Sequence, residues 1–103
     1  MGVRIEEDSK TLSRKKDRIR EPGNYTVILL NDDYTTRDFV VEVLKLVFHR
    51  NHKEAVQIML NVHRKGRGAV GIYTYDIALT KTRQVHDIAE RYEFPLRCVV
   101  EKI

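Results

Sequence analysis

The sequence predicts an α+β fold of order β-α-α-β-α-β: a small antiparallel three-stranded sheet packed on one face by three helices. Three observations carry that expectation. Short apolar runs open and close the patterned part of the chain, at residues 25–30 and 96–103. Between them, apolar residues recur three times at helical spacing. Thr, Asn, Gly and a Phe94-Pro95 pair stand where helices should start and stop. Helices that do not alternate strictly with strands fit a layer laid on one sheet face.

Residues 1–23 are polar and charge-rich, lack apolar periodicity and end in Glu21-Pro22-Gly23, so they read as a flexible N-terminal extension before a domain over 24–103. Tyr25-Thr26-Val27-Ile28-Leu29-Leu30 reads as a buried strand that stops at Asn31, Asp32 and Asp33. Thr35 is the expected cap of helix one, with Asp38 completing a capping box. Phe39, Val40, Val43, Leu44 and Val47 then carry the helix to about His49. Asn51 and Glu54 form a second capping box, and helix two buries Ala55, Ile58, Met59 and Val62 before ending near Arg64, short of Gly66. Residues 67–74 read as a strand that Gly68 and Gly71 weaken or bulge. Helix three is expected over 77–92, with Thr74 and Thr80 both available as caps, and residues 96–103 form the last strand.

A chain of 103 residues with 42% apolar and 33% charged residues supports one domain with a modest core. No apolar run approaches the ~20 residues that span a bilayer. The first ten residues carry acids and no apolar segment, so no secretory signal is expected. Cys98 is the lone cysteine, which excludes a disulfide framework and suits a reducing, cytoplasmic setting. The net charge of +4 is spread evenly: residues 1–24 hold seven basic and five acidic residues, the remainder twelve and ten. That distribution argues against a dedicated phosphate-binding face.

The chemistry concentrates after the first strand. Asn31, Asp32 and Asp33 fall in a short connection where their oxygens can converge, and such acceptors suit a cationic group. An apolar helix follows at once, so an amine attached to an apolar side chain would fit. His63 lies at the end of helix two, one turn beyond Met59 and next to Val62, which places the three on one face. A helix C-terminus favours a cationic imidazole, and a neutral ring can instead offer a lone pair. Each part has an ordinary reading as turn, core or cap; together they describe a small cationic-ligand or peptide site.

Two other classes fit less well. An enzyme would use Asp32, Asp33 and His63 as acid and base, but there is no nucleophile elbow, phosphate loop or metal spacing among His49, His52, His63 and His86. No catalytic residue, metal ligand or cofactor is therefore expected. A nucleic-acid module would use the basic stretch His63-Arg64-Lys65-Gly66-Arg67-Gly68, which lacks interleaved aromatics.

The run Asn31-Asp32-Asp33-Tyr34-Thr35, then Asp38-Phe39-Val40, Ile58-Met59-Leu60-Asn61-Val62-His63, Gly66 and Phe94-Pro95-Leu96-Arg97-Cys98-Val99-Val100-Glu101-Lys102 closely resembles ClpS, the adaptor family of the bacterial and plastid N-degron pathway. The resemblance covers about residues 24–103. It implies a non-enzymatic, monomeric adaptor that binds free N-termini beginning with Phe, Tyr, Trp or Leu and passes those proteins to a Clp-type AAA+ unfoldase through that enzyme's N-terminal domain. It implies no nucleic-acid or membrane partner. Asn31, Asp33 and His63 would receive the α-amino group, with Asp32 supporting it or meeting the first peptide bond. Thr35, Arg37, Val40, Met59, Val62 and Leu96 would line the side-chain pocket. Asp76 and Lys81 match positions linked to unfoldase docking, with Leu79 between them where an acid is frequent. The extension resembles the family's segment that assists delivery.

Two departures stand out. The family often has Pro where this chain has Thr36. It commonly has Met, a gatekeeper against β-branched first residues, where this chain has Arg37. The Arg37 stem is expected to line the rim with its guanidinium in water, disfavouring a basic second residue; the alternative is that Arg37 narrows or blocks the pocket.

Overall fold

The computed structural model describes residues 23–103, so the extension expected over 1–23 lies, apart from Gly23, outside the described residues. The elements are β1 (Tyr25–Leu30), α1 (Arg37–Phe48), α2 (His52–Lys65), β2 (Arg67–Tyr73), α3 (Tyr75–Arg91) and β3 (Arg97–Lys102), in the expected order. The sheet runs β2-β1-β3, with both pairings antiparallel. The first strand is thus central and its C-terminal end, which carries the Asn31 corner, is flanked on both sides.

Side-chain alternation aims Val27 and Leu29 of β1 at the helices, where both have 0% exposure. They meet Val43, Leu44, Val47 and Phe48 of α1, Ala55, Met59 and Val62 of α2, and Ala78, Val85 and Ala89 of α3 in one cluster. On the opposite face an Arg67–Glu101 ion pair reaches from β2 to β3 across β1. The register between β1 and β2 shifts between Val27 and Ile28, opposite Gly71 and Ala69. This bulge leaves Val70 without a facing residue, and Arg50 Nη2 donates to its carbonyl at 2.5 Å.

Two helix starts differ from expectation. The cap of α1 is Thr36, whose hydroxyl accepts from the Phe39 N–H at 3.2 Å. Thr35 is instead turned toward Asp32, which accepts from both its N–H and its hydroxyl. The helix therefore begins one residue later, and Asp38 falls at its second position, too early to close a capping box. The third helix starts at Tyr75, earlier than 77, with Thr74 in cap conformation but making no side-chain cap bond. The box of α2 is present in both directions, Asn51 Oδ1 accepting from Glu54 N–H at 2.8 Å and Glu54 Oε1 from Asn51 N–H at 3.2 Å.

Cys98 is free and buried on β3, and burial pushes its thiol above the usual range. Its backbone N–H donates to His86 Nε2 at 3.1 Å. Burial, aided by the positive charge of Arg97, pulls His86 below its ordinary value. Among the described residues no helix is long and apolar enough to cross a membrane.

Candidate binding site

The connection after β1 is built around one side chain. Asp32 Oδ1 accepts from the Tyr34 N–H at 2.8 Å and the Thr35 N–H at 2.7 Å, and Oδ2 accepts from the Thr35 hydroxyl at 2.7 Å. This Asx-type turn reverses the chain between strand and helix. Burial pushes the Asp32 carboxyl upward, but the bonds from Thr35 and Tyr34 outweigh it and hold the group below the usual carboxylate range. Both Asp32 oxygens are thus engaged within the loop. These bonds let it hold the corner in shape.

A second tie joins the loop to α2. Gly66 ends that helix with φ 89°, a left-handed conformation that favours glycine, and its N–H donates to the Val62 carbonyl at 2.8 Å. The Gly66 carbonyl in turn accepts the Asn31 N–H at 2.9 Å. Asn31 is therefore held one turn from His63 by backbone alone.

Between these parts lies a cavity of about 370 Å³. Asn31, Asp32, Asp33 and His63 line it, as do Thr35, Arg37, Val40, Met59, Val62 and Leu96. Sequence reasoning missed Leu29, Leu30, Tyr34 and Thr36, which also line it. The strand register could have found Leu29, an inward residue just before the corner. Val40, Met59, Val62 and Leu96 are buried, so the walls are apolar, whereas Asn31, Asp33 and His63 are exposed at the mouth. The Asn31 amide and the Asp33 carboxylate make no side-chain hydrogen bond or ion pair among the described residues.

Arg37 departs from expectation. Its guanidinium does not simply extend into water: Nη2 lies 2.9 Å from His63 Nε2. The two residues are brought together because Arg37 opens α1 and His63 sits in the last turn of α2.

Asp76 and Leu79 are exposed near the start of α3, beside the exposed Tyr75 and Ile77. Lys81 is partly buried, its Nζ donating to the Val47 carbonyl at 2.8 Å and lying 5.8 Å and 5.5 Å from the ring centres of Phe48 and Tyr73. Its ammonium therefore pins α3 to the end of α1 and is not free at the surface. In the basic turn after His63, Arg67 is ion-paired with Glu101. A second recess of about 610 Å³, lined in part by Phe39, Val43, Leu46, Ile88, Tyr92 and Phe94, lies along the surface between α1 and α3. Among the described residues no three His, Cys, Asp or Glu side chains are placed to hold a metal ion.

A cavity with apolar side chains deep in its wall and hydrogen-bond acceptors at its mouth, on a small α+β scaffold, is the layout of a recognition domain. The sequence profile described as "ATP-dependent Clp protease adaptor protein ClpS" matches residues 20–99, and the chain belongs to that family, whose members are non-catalytic adaptors. It is 53% identical over 88 residues to the ClpS adapter of Syntrophus aciditrophicus, covering 85% of this chain and 82% of the relative. It is 54% identical over 94 residues to that of Acetivibrio thermocellus, covering 89% and 95%. Among solved structures, Agrobacterium tumefaciens ClpS2 bound to L-phenylalaninamide superposes with a TM-score of 0.77 at 40% identity, covering 81% of this chain and all of that one.

Proposed function

We propose that this adaptor binds free protein N-termini beginning with Phe, Tyr, Trp or Leu and hands those proteins to a Clp-family AAA+ unfoldase. The observation that carries the reading is the pairing of Asn31 and Asp33, acceptors with no side-chain partner among the described residues, with a cavity of about 370 Å³ whose wall includes Val40, Met59, Val62 and Leu96. That volume lies at the low end of ligand sites, ~300–1,000 Å³, which suits one side chain and its amine better than a cofactor. The A. tumefaciens relative supports it, since phenylalaninamide carries a free α-amine on an aromatic side chain.

An α-amino group with a reference pKa near ~8 is mostly cationic at neutral pH. Asn31 Oδ1, the Asp33 carboxylate and a His63 ring nitrogen receive its three N–H donors, while Asp32 keeps the loop in shape. Hydrogen bonds to charged partners contribute roughly 1.5–3 kcal/mol each. Burying a Phe or Leu side chain adds ~1.5–3 kcal/mol. Association costs remove a large share, leaving micromolar affinity, about −8 kcal/mol, within reach. Neither part suffices alone, so the site reads charge and side chain together.

Delivery uses the surface around Asp76 and Leu79, extended by Tyr75 and Ile77. Lys81 contributes by fixing the helix that presents them. The test of recognition is fluorescence anisotropy with a labelled peptide beginning Phe, the same peptide N-acetylated, and one beginning Ala. Binding of the first alone is expected; equal binding of the acetylated peptide would remove the α-amine from the mechanism.

A further inference from the structure

The binding site already holds a cation of its own. A guanidinium offers five donors and no acceptor and keeps its proton. The His63 Nε2 that Arg37 faces at 2.9 Å must therefore present a lone pair, which puts the proton of the neutral ring on Nδ1. That lone pair is one of the three acceptors the proposed ligand needs. Asn31 and Asp33 stand open, and the third position is taken from within.

We propose that Arg37 is an internal competitor for the ligand's amine and, once displaced, a reader of its second residue. In the empty site its guanidinium occupies His63 Nε2 in place of a ligand ammonium; an arriving N-terminus displaces it, and the freed guanidinium favours ligands whose second residue is acidic. This rests on the reading of the site as one for N-termini. Arg37 is exposed and anchored only at the first position of α1, so its side chain can swing without disturbing the fold. Its guanidinium rests against the His63 nitrogen assigned to the α-amine, so once displaced it stays within a side chain's reach of the residue that follows. Arg37 has no carboxylate partner among the described residues, not even its neighbour Asp38. Displacement thus leaves a planar donor fork with nothing to bind, and a carboxylate matches that fork in two parallel bonds. A Lys or Arg at the second position meets a like charge instead.

The experiment titrates wild type and Arg37→Met with free-amine peptides beginning Phe-Asp, Phe-Ala and Phe-Lys, at low and high salt. Wild type should prefer Phe-Asp over Phe-Lys by roughly two- to fivefold, the range of an exposed ion pair, and salt should erase the preference. The Met variant should lose that discrimination and bind Phe-Ala about three- to tenfold tighter, having no internal competitor. Nitrogen NMR of the His63 ring in ligand-free protein gives a reading that needs no peptide. The Nδ1–H tautomer should dominate in wild type and lose its bias in Arg37→Met. Equal affinities in both proteins with an unbiased ring overturn the role of Arg37 and leave amine binding standing. An Arg37-dependent tautomer, with no Phe peptide bound by either protein, overturns the N-terminus reading and the specificity that rests on it.

Discussion

Replacing Asp32 with Asn, and separately with Ala, tests whether this carboxylate builds the corner or touches the ligand. In the structure its two oxygens take three donors, the Tyr34 and Thr35 N–H groups and the Thr35 hydroxyl, at 2.7–2.8 Å. Asn keeps one oxygen for the two N–H groups, and the hydroxyl can turn to accept from the new amide. What it removes is the charge. Bonds to a charged acceptor contribute about 1.5–3 kcal/mol and neutral ones about 0.5–1.5 kcal/mol, so three downgraded bonds come to ~3 kcal/mol, or about half that once solvent access is allowed for. Ala removes all three bonds and should cost about 3 kcal/mol on the same discount. At ~4–8 °C per kcal/mol for a domain of this size, thermal melts resolve the two steps easily. Affinity for a Phe N-terminus should change within about threefold in Asp32→Asn but fall tenfold or more in Asp33→Asn. The reasoning is refuted if Asp32→Asn melts like wild type yet loses as much affinity as Asp33→Asn, because Asp32 would then hold the ammonium itself.

Gly68→Ala should move the cavity wall, since a Cβ there would stand 2.9 Å from Val62 Cγ2, and a helical valine has little χ1 freedom to retreat. Overpacking at ~1–3 kcal/mol, less the ~0.4–1 kcal/mol that Ala recovers from the unfolded chain, predicts a net loss near 1 kcal/mol together with weaker Phe binding; a melt and an affinity both unchanged would contradict this. His86 is held below its ordinary value by burial and Arg97, so its contribution to stability is complete above pH ~6.5 and declines as pH falls from there through its depressed value. Urea midpoints at pH 7.5 and 5.5 should show that decline in wild type and lose it in His86→Gln; the same slope in both proteins would exclude His86 as its source. Cys98, buried and with its thiol pushed up, should react with thiol reagents only at the rate of unfolding, and rapid labelling of native protein would contradict the packing of β3.

Much of this fold is written locally. Asn51 and Glu54 announce the start of α2 because a capping box needs only a four-residue window, and Gly66 announces its end because a left-handed cap favours one residue type. Thr35 and Thr36 could not be told apart from their own chemistry. The choice was made by Asp32, whose bonds to Thr35 leave Thr36 to cap. The start of α3 was hidden because its first turn carries exposed Tyr75 and Ile77, which break the apolar periodicity, and because Thr74 makes no cap bond. Arg37 marks the limit of sequence reasoning at the site. Residue type said where its charge could reach, but its contact with His63, 26 positions away, depends on how α1 and α2 pack.

Leu29, Val40, Met59, Val62 and Leu96 belong at once to the cavity wall and to the central apolar cluster. The wall of the cavity is therefore also part of the core, and under the proposed function the first side chain of a bound N-terminus would pack there as a borrowed core residue. On that reading binding would also complete the packing of the fold. It raises the melting temperature with ligand concentration by ordinary linkage. It would also leave the exposed rim as the place where selectivity can change at least cost, because a smaller residue in the wall removes core packing as well.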